Sequence, residues 1–378
     1  MVFGSFAAGF IARPIGAVVF GRIGDNSSRK KALTISIYLM AIPTTLIGLL
    51  PTFESAGIWA PVMLTALRIA QGLAIGGEFT GSMIFLVEHA PENKKGFYGS
   101  IATFSAVVGV IIGSGIASLI FYICSDDQLY SFGWRIPFLI SAVGGAVGSY
   151  IRKTVSEPKC YIKNRDKENR TNLTIRELIY KYKAKILHII LIDFLTAVGF
   201  FMIVIFIASY FQKHTNIGIY AQYINTFNMF VFAIFNIIGG VLCDKFGVKK
   251  VMAFPCILFI LLSYPLFDIM QYSSYSLLFP LCAQCIMSML MGLFFGSIPL
   301  AFIKIFPIHA RFSGISLAHN ISMAIFGGTT PLIATFLLNY TNNLNSPAFL
   351  LIGAALLSLI GVLGLNSYKA KEEVFRYC

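Results

Sequence analysis

Charge is scarce in this sequence. Only 12% of its 378 residues are Asp, Glu, Lys or Arg, and just 16 are acidic, too few to clothe an ordinary soluble surface. There are five histidines, and the seven cysteines are scattered, without the paired spacing of a secreted disulfide framework. Cys282 and Cys285 form one Cys-x-x-Cys, but no second pair or His lies beside it. Both read as small packing residues of an apolar helix, and no metal site is expected. A P-loop and a nucleotide fingerprint are absent, so ATP-driven transport has no support and no cofactor is implied. No nucleophile and base stand together either, which argues against an enzyme, including a membrane-embedded one. Met1 to Phe20 lacks a basic leader and runs into a charged turn, so it does not read as a cleavable signal.

What is present is apolar length. Hydrophobic residues make up 57% of the chain and the mean hydropathy is +0.78. Eleven apolar segments follow one another, at 3–21, 32–50, 59–87, 97–123, 132–151, 186–212, 219–243, 249–269, 276–303, 312–338 and 346–366. Each is close to or above the roughly 20 residues an α-helix needs to cross a hydrocarbon core. Nearly all Lys and Arg fall in alternate connections: Arg22 to Lys31, Lys94 and Lys95, Arg152 to Lys185, Lys245 to Lys250, Lys304 and Arg311, and Lys369 to Arg376. The opposite connections hold only Lys213. Basic residues are retained on the cytoplasmic side, so one asymmetry sets both class and orientation: an all-α integral protein of the cell inner membrane, multi-pass. The net charge of +13 is spread over short cytoplasmic loops. It therefore points to retention and contact with anionic lipid, not to nucleic acid.

The longest polar stretch, 152–185, separates five helices from six. The expected organisation is an N-terminal bundle over 1–151, a basic cytoplasmic linker over 152–185, a C-terminal six-helix bundle over 186–368 and a cytoplasmic tail over 369–378. A repeat relates the halves. Gly21-Arg22-Ile23-Gly24-Asp25 precedes Arg29, Lys30 and Lys31, and Gly240-Val241-Leu242-Cys243-Asp244 precedes Lys249 and Lys250. Two Gly-x-x-x-Asp turns at corresponding places are a strong internal signal.

These paired turns resemble the signature loops of the major facilitator superfamily. Other stretches narrow the likeness: Arg13-Pro14-Ile15-Gly16, Arg68-x-x-Gln71-Gly72-x-x-x-Gly76-Gly77-Glu78, Trp134-Arg135-Ile136-Pro137-Phe138, Phe306-Pro307-Ile308-His309-Ala310-Arg311 and Gly327-Gly328-Thr329-Thr330-Pro331. Together they are similar to the metabolite:H⁺ symporter family, and within it to bacterial proline/betaine transporters. The resemblance implies a two-bundle helical transporter with twelve spans. Counted from the signature turn, this chain begins at the second, giving an expected eleven and a periplasmic Met1. The resemblance also implies a first helix that brings acidic and aromatic residues to the cavity, and in the best-known members a coiled-coil tail; neither is in this sequence. In the turns themselves, Asn26 to Ser28 replace the usual basic and Gly pattern, and Val248 stands where an Arg would align.

Charged and amide side chains inside a membrane helix are costly and rarely face lipid. In the third segment Arg68, Gln71 and Glu78 fall on one stripe about 15 Å tall at helical spacing, with Gly72 and Gly76 on its flank to admit another backbone. Glu78 would exchange a proton while Arg68 offers a forked donor to a carboxylate; alternatively, the stripe locks two helices. Arg13 would ligate a substrate carboxylate or pair with acids outside the sequence. Asp193 is the acidic residue well inside the second half, expected near the interface where hydration is cheap. Asn320 and its neighbour His319, with Thr329 and Thr330, suit either a cavity wall or interhelical hydrogen bonds. Gly109-x-x-x-Gly113 and Gly144-Gly145-x-x-Gly148 are read as close-packing surfaces.

The resemblance further implies a cytoplasmic gate in which Asp25, Arg29 and Glu88 form a charge cluster. Asp25 would dock on the positive N-terminus of a helix of the other half. Gly21, Gly240, Asp244 and Arg311 belong to the same gate, and without an Arg at Val248 the second turn is expected to latch more weakly. The resulting expectation is a proton-coupled symporter of a small zwitterionic or carboxylate-bearing solute, of the proline/glycine betaine type. Its partners would be that solute, a proton and membrane lipid, with no obligate protein partner. Symport of a dicarboxylate or other organic acid and a non-transporting remnant stay open beside it.

Overall fold

A computed structural model describes residues 2–158, 161–162, 174–215, 217–218, 220–272 and 276–365. Residues 159–160 and 163–173 of the expected linker, and the whole expected tail over 369–378, lie outside the described residues. Among the described residues there is no strand.

Each of the eleven apolar segments is helical. The helices are α1 (Val2–Asn26), α2 (Arg29–Gly48), α3 (Trp59–His89), α4 (Lys95–Ile123) and α5 (Ile136–Thr154). After the linker come α6 (Ile175–Phe201) and α7 (Ile207–His214), joined by a π turn over Met202–Phe206. Then follow α8 (Ala221–Phe246), α9 (Val248–Gln271) and α10 (Leu278–Ile305). A second π turn, Met323–Gly327, joins α11 (Arg311–Ser322) to α12 (Gly328–Thr341), and α13 (Pro347–Leu363) ends the series. By length and composition, eight described helices can cross a membrane. Local chemistry sets the boundaries. Ser28 caps α2 by accepting from the Lys31 N–H at 2.8 Å, and Gly247 turns the chain between α8 and α9 at φ +85°. Thr329 and Thr330 hydroxyls donate to the Ile325 and Phe326 carbonyls, each at 2.6 Å, satisfying backbone that the π turn and Pro331 free.

The chain forms two compact units. The first comprises residues 1–85, 109–181 and 308–321. In it, α1 lies directly on α3. A Cβ on Gly72 would strike the Gly9 carbonyl, and one on Gly76 would strike the Arg13 carbonyl and the Ala17 nitrogen, the latter at 2.6 Å. The expected flank of small residues is therefore real. Backbone cannot yield as a side chain can, so Gly76→Ala is expected to cost about 1–3 kcal/mol or more and to lower the unfolding temperature in detergent. Gly113→Ala is the control, because nothing lies within 4 Å of a Cβ there. The same openness at Gly109 and Gly144 corrects the expected packing role of those glycines, whereas Gly145 and Gly148 do abut Ala41 and Ile37 of α2.

The second unit comprises residues 86–108, 182–307 and 322–378. Its centre is α10, in which every residue from Leu290 to Ile303 is buried. A helix apolar all round is a core helix, and α8 and α9 pack on it. Neighbours meet some of the polar atoms it buries: Gln284 Nε2 donates to Asn225 Oδ1 at 2.9 Å, and Cys243 Sγ to Ser297 Oγ at 3.1 Å.

Candidate functional site

The first Gly-x-x-x-Asp turn is the junction of α1 and α2, and its aspartate is fully engaged. Asp25 Oδ2 accepts the Ser313 N–H at 2.8 Å, and Oδ1 accepts the Phe312 N–H at 3.1 Å and Arg29 Nη1 at 2.6 Å. Phe312 and Ser313 open α11, where four backbone N–H groups lack intrahelical acceptors and the dipole is positive. A carboxylate fits both demands. Arg29, 0% exposed, donates its other Nη to the Ile308 carbonyl at 3.0 Å, while its guanidinium lies 4.8 Å from the Tyr161 ring centre and 5.5 Å from that of Phe312. Gly21 permits the approach, since its Cβ would lie 2.6 Å from the Ser313 Cα. Farther along the same face of α11, the Thr80 and Ser316 hydroxyls meet at 2.5 Å, and Asn320 Nδ2 donates to the Gly76 carbonyl at 2.9 Å. His319 stacks on Phe79 with centroids 5.2 Å apart. Asn320 is thus an interhelical hydrogen-bonding residue.

The second turn repeats the arrangement inside the second unit. Asp244 Oδ1 accepts the Gly96 N–H at 2.7 Å and Oδ2 the Phe97 N–H at 2.9 Å, at the start of α4. Gly240 lies against Ser100 and the Gly96 carbonyl, too close for any side chain. One step along that face, Thr103 Oγ1 donates to Asn236 Oδ1 at 2.9 Å. The second aspartate therefore makes the same two amide contacts as the first. The tier that the second turn lacks is the arginine, because Val248 stands four residues after Asp244. The lysines five residues after each aspartate also match. Lys30 Nζ donates to the Lys153 carbonyl at 2.9 Å, and Lys249 Nζ to the Leu363 carbonyl at 2.9 Å, so each caps the C-terminal end of its partner helix.

The receiving ends also repeat. Pro91 stands four residues before Lys95, and Pro307 four before Arg311; each pair brackets a single 3₁₀ turn, Glu92–Lys94 or Ile308–Ala310. In both, the aspartate takes the two amides that follow the basic residue. The readable signal was a proline followed four residues later by a base opening an apolar run. Glu88 is buried in the second unit, and Arg311, 1% exposed, in the first.

The stripe on α3 divides. Arg68 Nη1 donates to Gln71 Oε1 at 3.0 Å, and Gln71 Nε2 to Thr44 Oγ1 at 2.7 Å. Glu78 has a different cation: it pairs with Arg152 at the end of α5 and accepts from Ser36 of α2. Gln71 and Glu78 thus face α2, and Glu78 also α5, while Arg68 is held by Gln71 of its own helix. Arg13 has no carboxylate partner among the described residues; its guanidinium lies 3.9 Å from the Phe10 ring centre, and its buried Nε has no acceptor. Asp193 corrects the expectation of a hydrated position near a helix start. Its helix begins at Ile175, where Thr174 and Glu177 form the cap, and Asp193 is 0% exposed. Among the described residues no group of three or more His, Cys, Asp or Glu is placed to hold a metal.

This geometry can be set beside known proteins. Residues 2–221 match the profile of the Major Facilitator Superfamily. The proline/betaine transporter of Escherichia coli K12 is 30% identical over 366 residues, covering 94% of this chain and 73% of the relative. The glycine betaine/proline/ectoine/pipecolic acid transporter OusA of Dickeya dadantii is 31% identical over 372 residues, covering 94% and 72%. The fold is that of the proton:xylose symporter XylE, with a TM-score of 0.79 at 15% identity over 96% of this chain and 85% of the other. The chain belongs to the major facilitator superfamily: it is a multi-pass transporter of the inner membrane and not an enzyme.

Proposed function

We propose that this transporter carries a small zwitterionic solute of the proline/glycine betaine class together with a proton. The names of relatives about 30% identical along nearly the whole chain support the solute class. The observation that carries the reading is Arg13. A guanidinium inside a membrane helix, with a buried donor unmet and no acid paired with it among the described residues, is costly unless something anionic completes it. A carboxylate does so with two parallel hydrogen bonds. Glu78 is the coupling group: it is a carboxylate within a span, held by Arg152 and by the hydroxyls of Ser36 and Ser82, and protonation would remove the charge that pairs with Arg152.

Uptake of radiolabelled proline into proteoliposomes, with and without an inward proton gradient, tests the reading. Arg13→Lys keeps the charge but loses the planar fork, and is expected to raise KM about 10- to 100-fold, the worth of a charge-assisted hydrogen bond. Arg13→Gln should abolish saturable uptake. Unaltered KM in Arg13→Gln would remove Arg13 from the solute site. Competition separates the runner-up: excess glycine betaine should block proline uptake and succinate should not, whereas the reverse would favour a dicarboxylate carrier.

A further inference from the structure

Two residues just beyond α5 bind the α1–α2 turn, and the latch described above does not account for them. Glu157 accepts from the Ser28 hydroxyl and, through Oε1, from the Lys30 N–H at 3.1 Å, so its carboxylate sits on the exposed amides that open α2. Tyr161 is 5% exposed; its hydroxyl donates to the backbone carbonyl of Asp25 at 3.1 Å and its ring covers the Arg29 guanidinium. A third tie runs from Lys30 Nζ to the Lys153 carbonyl. These contacts hold residues 25, 28, 29 and 30 through partners outside α11, and Asp25 and Arg29 are the residues that grip Phe312, Ser313 and Ile308.

We propose that Glu157 and Tyr161 are positioning residues of the first latch, a strap that holds Asp25 and Arg29 in the geometry that receives α11. The Tyr161 hydroxyl fixes the Asp25 main chain, which aims the carboxylate. The ring removes water from one face of Arg29, which strengthens its pairing with Asp25. Glu157 fixes the start of α2, and so the Cα from which Arg29 extends. Substituting the strap therefore loosens the grip on α11 without touching any residue that makes it. The inference rests on reading the turn as a latch that opens during transport.

The test is thiol labelling, which needs neither solute nor gradient. Ala310→Cys, in a background with the native cysteines replaced, places a thiol at a 1% exposed position beside Asp25, Asn26 and His309. Its labelling by a membrane-impermeant maleimide in inside-out vesicles reports how often the grip on α11 opens. Tyr161→Ala is expected to speed labelling roughly 5- to 10-fold, within what a shielded cation–π contact and one hydrogen bond are worth. Tyr161→Phe keeps the ring and should give about twofold. Tyr150→Ala, at an exposed tyrosine of α5, should leave the rate unchanged. Labelling of Tyr161→Ala within about twofold of the parent overturns the proposal. If that variant does not reach the membrane, Tyr161→Phe and Glu157→Gln decide, and parent rates in both overturn it equally. Loss of proline uptake in the parent would instead strike the transport reading and leave the labelling result intact.

Discussion

Asp25→Asn is expected to lower uptake at least about tenfold, with the protein present in the membrane at its normal level. The carboxylate serves two backbone amides and one guanidinium at once. An amide side chain keeps a single acceptor oxygen and turns an NH₂ toward groups that are themselves donors. The larger loss is electrostatic. Arg29 is 0% exposed, and stranding one partner of a buried ion pair costs about 3–5 kcal/mol. The closed form of the latch should then be scarce, and a carrier that seldom closes on one side turns over slowly. Arg29→Gln added to Asp25→Asn should recover part of the rate, because the stranded charge is gone. Asp244→Asn should be milder, since Val248 leaves no arginine to strand. Normal uptake per molecule of Asp25→Asn would reduce this residue to an ordinary turn aspartate.

Glu78→Gln is expected to abolish accumulation of solute against its gradient while leaving solute exchange in place. Gln cannot gain or lose a proton, yet it still fits between Ser36 and Arg152. The pairing of Glu78 with Arg152 adds a second expectation. Arg152 lies in the last turn of α5, where a cation is favoured by the helix C-terminus. Arg152→Gln should therefore weaken coupling without abolishing binding, because Glu78 would keep only its serine contacts. The measurement is proline accumulation in proteoliposomes under an imposed proton gradient, beside counterflow at equal pH. Undiminished accumulation by Glu78→Gln would move the proton site elsewhere, with the buried Asp193 the next carboxylate to replace.

Much of this was legible in the chain because it repeats or follows a period. The eleven apolar runs fall on helices, two of them broken by a π turn, and two Gly-x-x-x-Asp turns announced a paired device, since an aspartate beside a tight glycine seeks the free amides of a helix start. What the turns could not show was their receivers, which lie hundreds of residues away for Asp25 and well over a hundred for Asp244. Local spacing placed Arg68, Gln71 and Glu78 on one face correctly, and the Arg68–Gln71 contact is a one-turn neighbour. The partner of Glu78 was out of reach because it is 74 residues downstream, at the end of another helix. Asp193 was misplaced for a different reason. The polar start of α6 reads as linker by composition, although Thr174-x-x-Glu177 is a capping pair that begins the helix earlier.

The two aspartates hold main chain, and that has a consequence for how the protein can drift. Amides at 96, 97, 312 and 313 are offered by any residue except proline, so the hydrogen bonds themselves place no demand on the side chains of Phe97, Phe312 and Ser313, whereas Gly96 must stay bare because a Cβ there would lie 2.9 Å from Asp244 Oδ1. The main-chain partners of Asp25 and Asp244 demand no compensating substitution, and paired changes across a family would leave these backbone contacts invisible, in contrast to the Asp25–Arg29 pair. The second turn does without an arginine and keeps the same two backbone contacts. Two repeated turns can in this way differ in most of their side chains and still keep the same pair of backbone contacts.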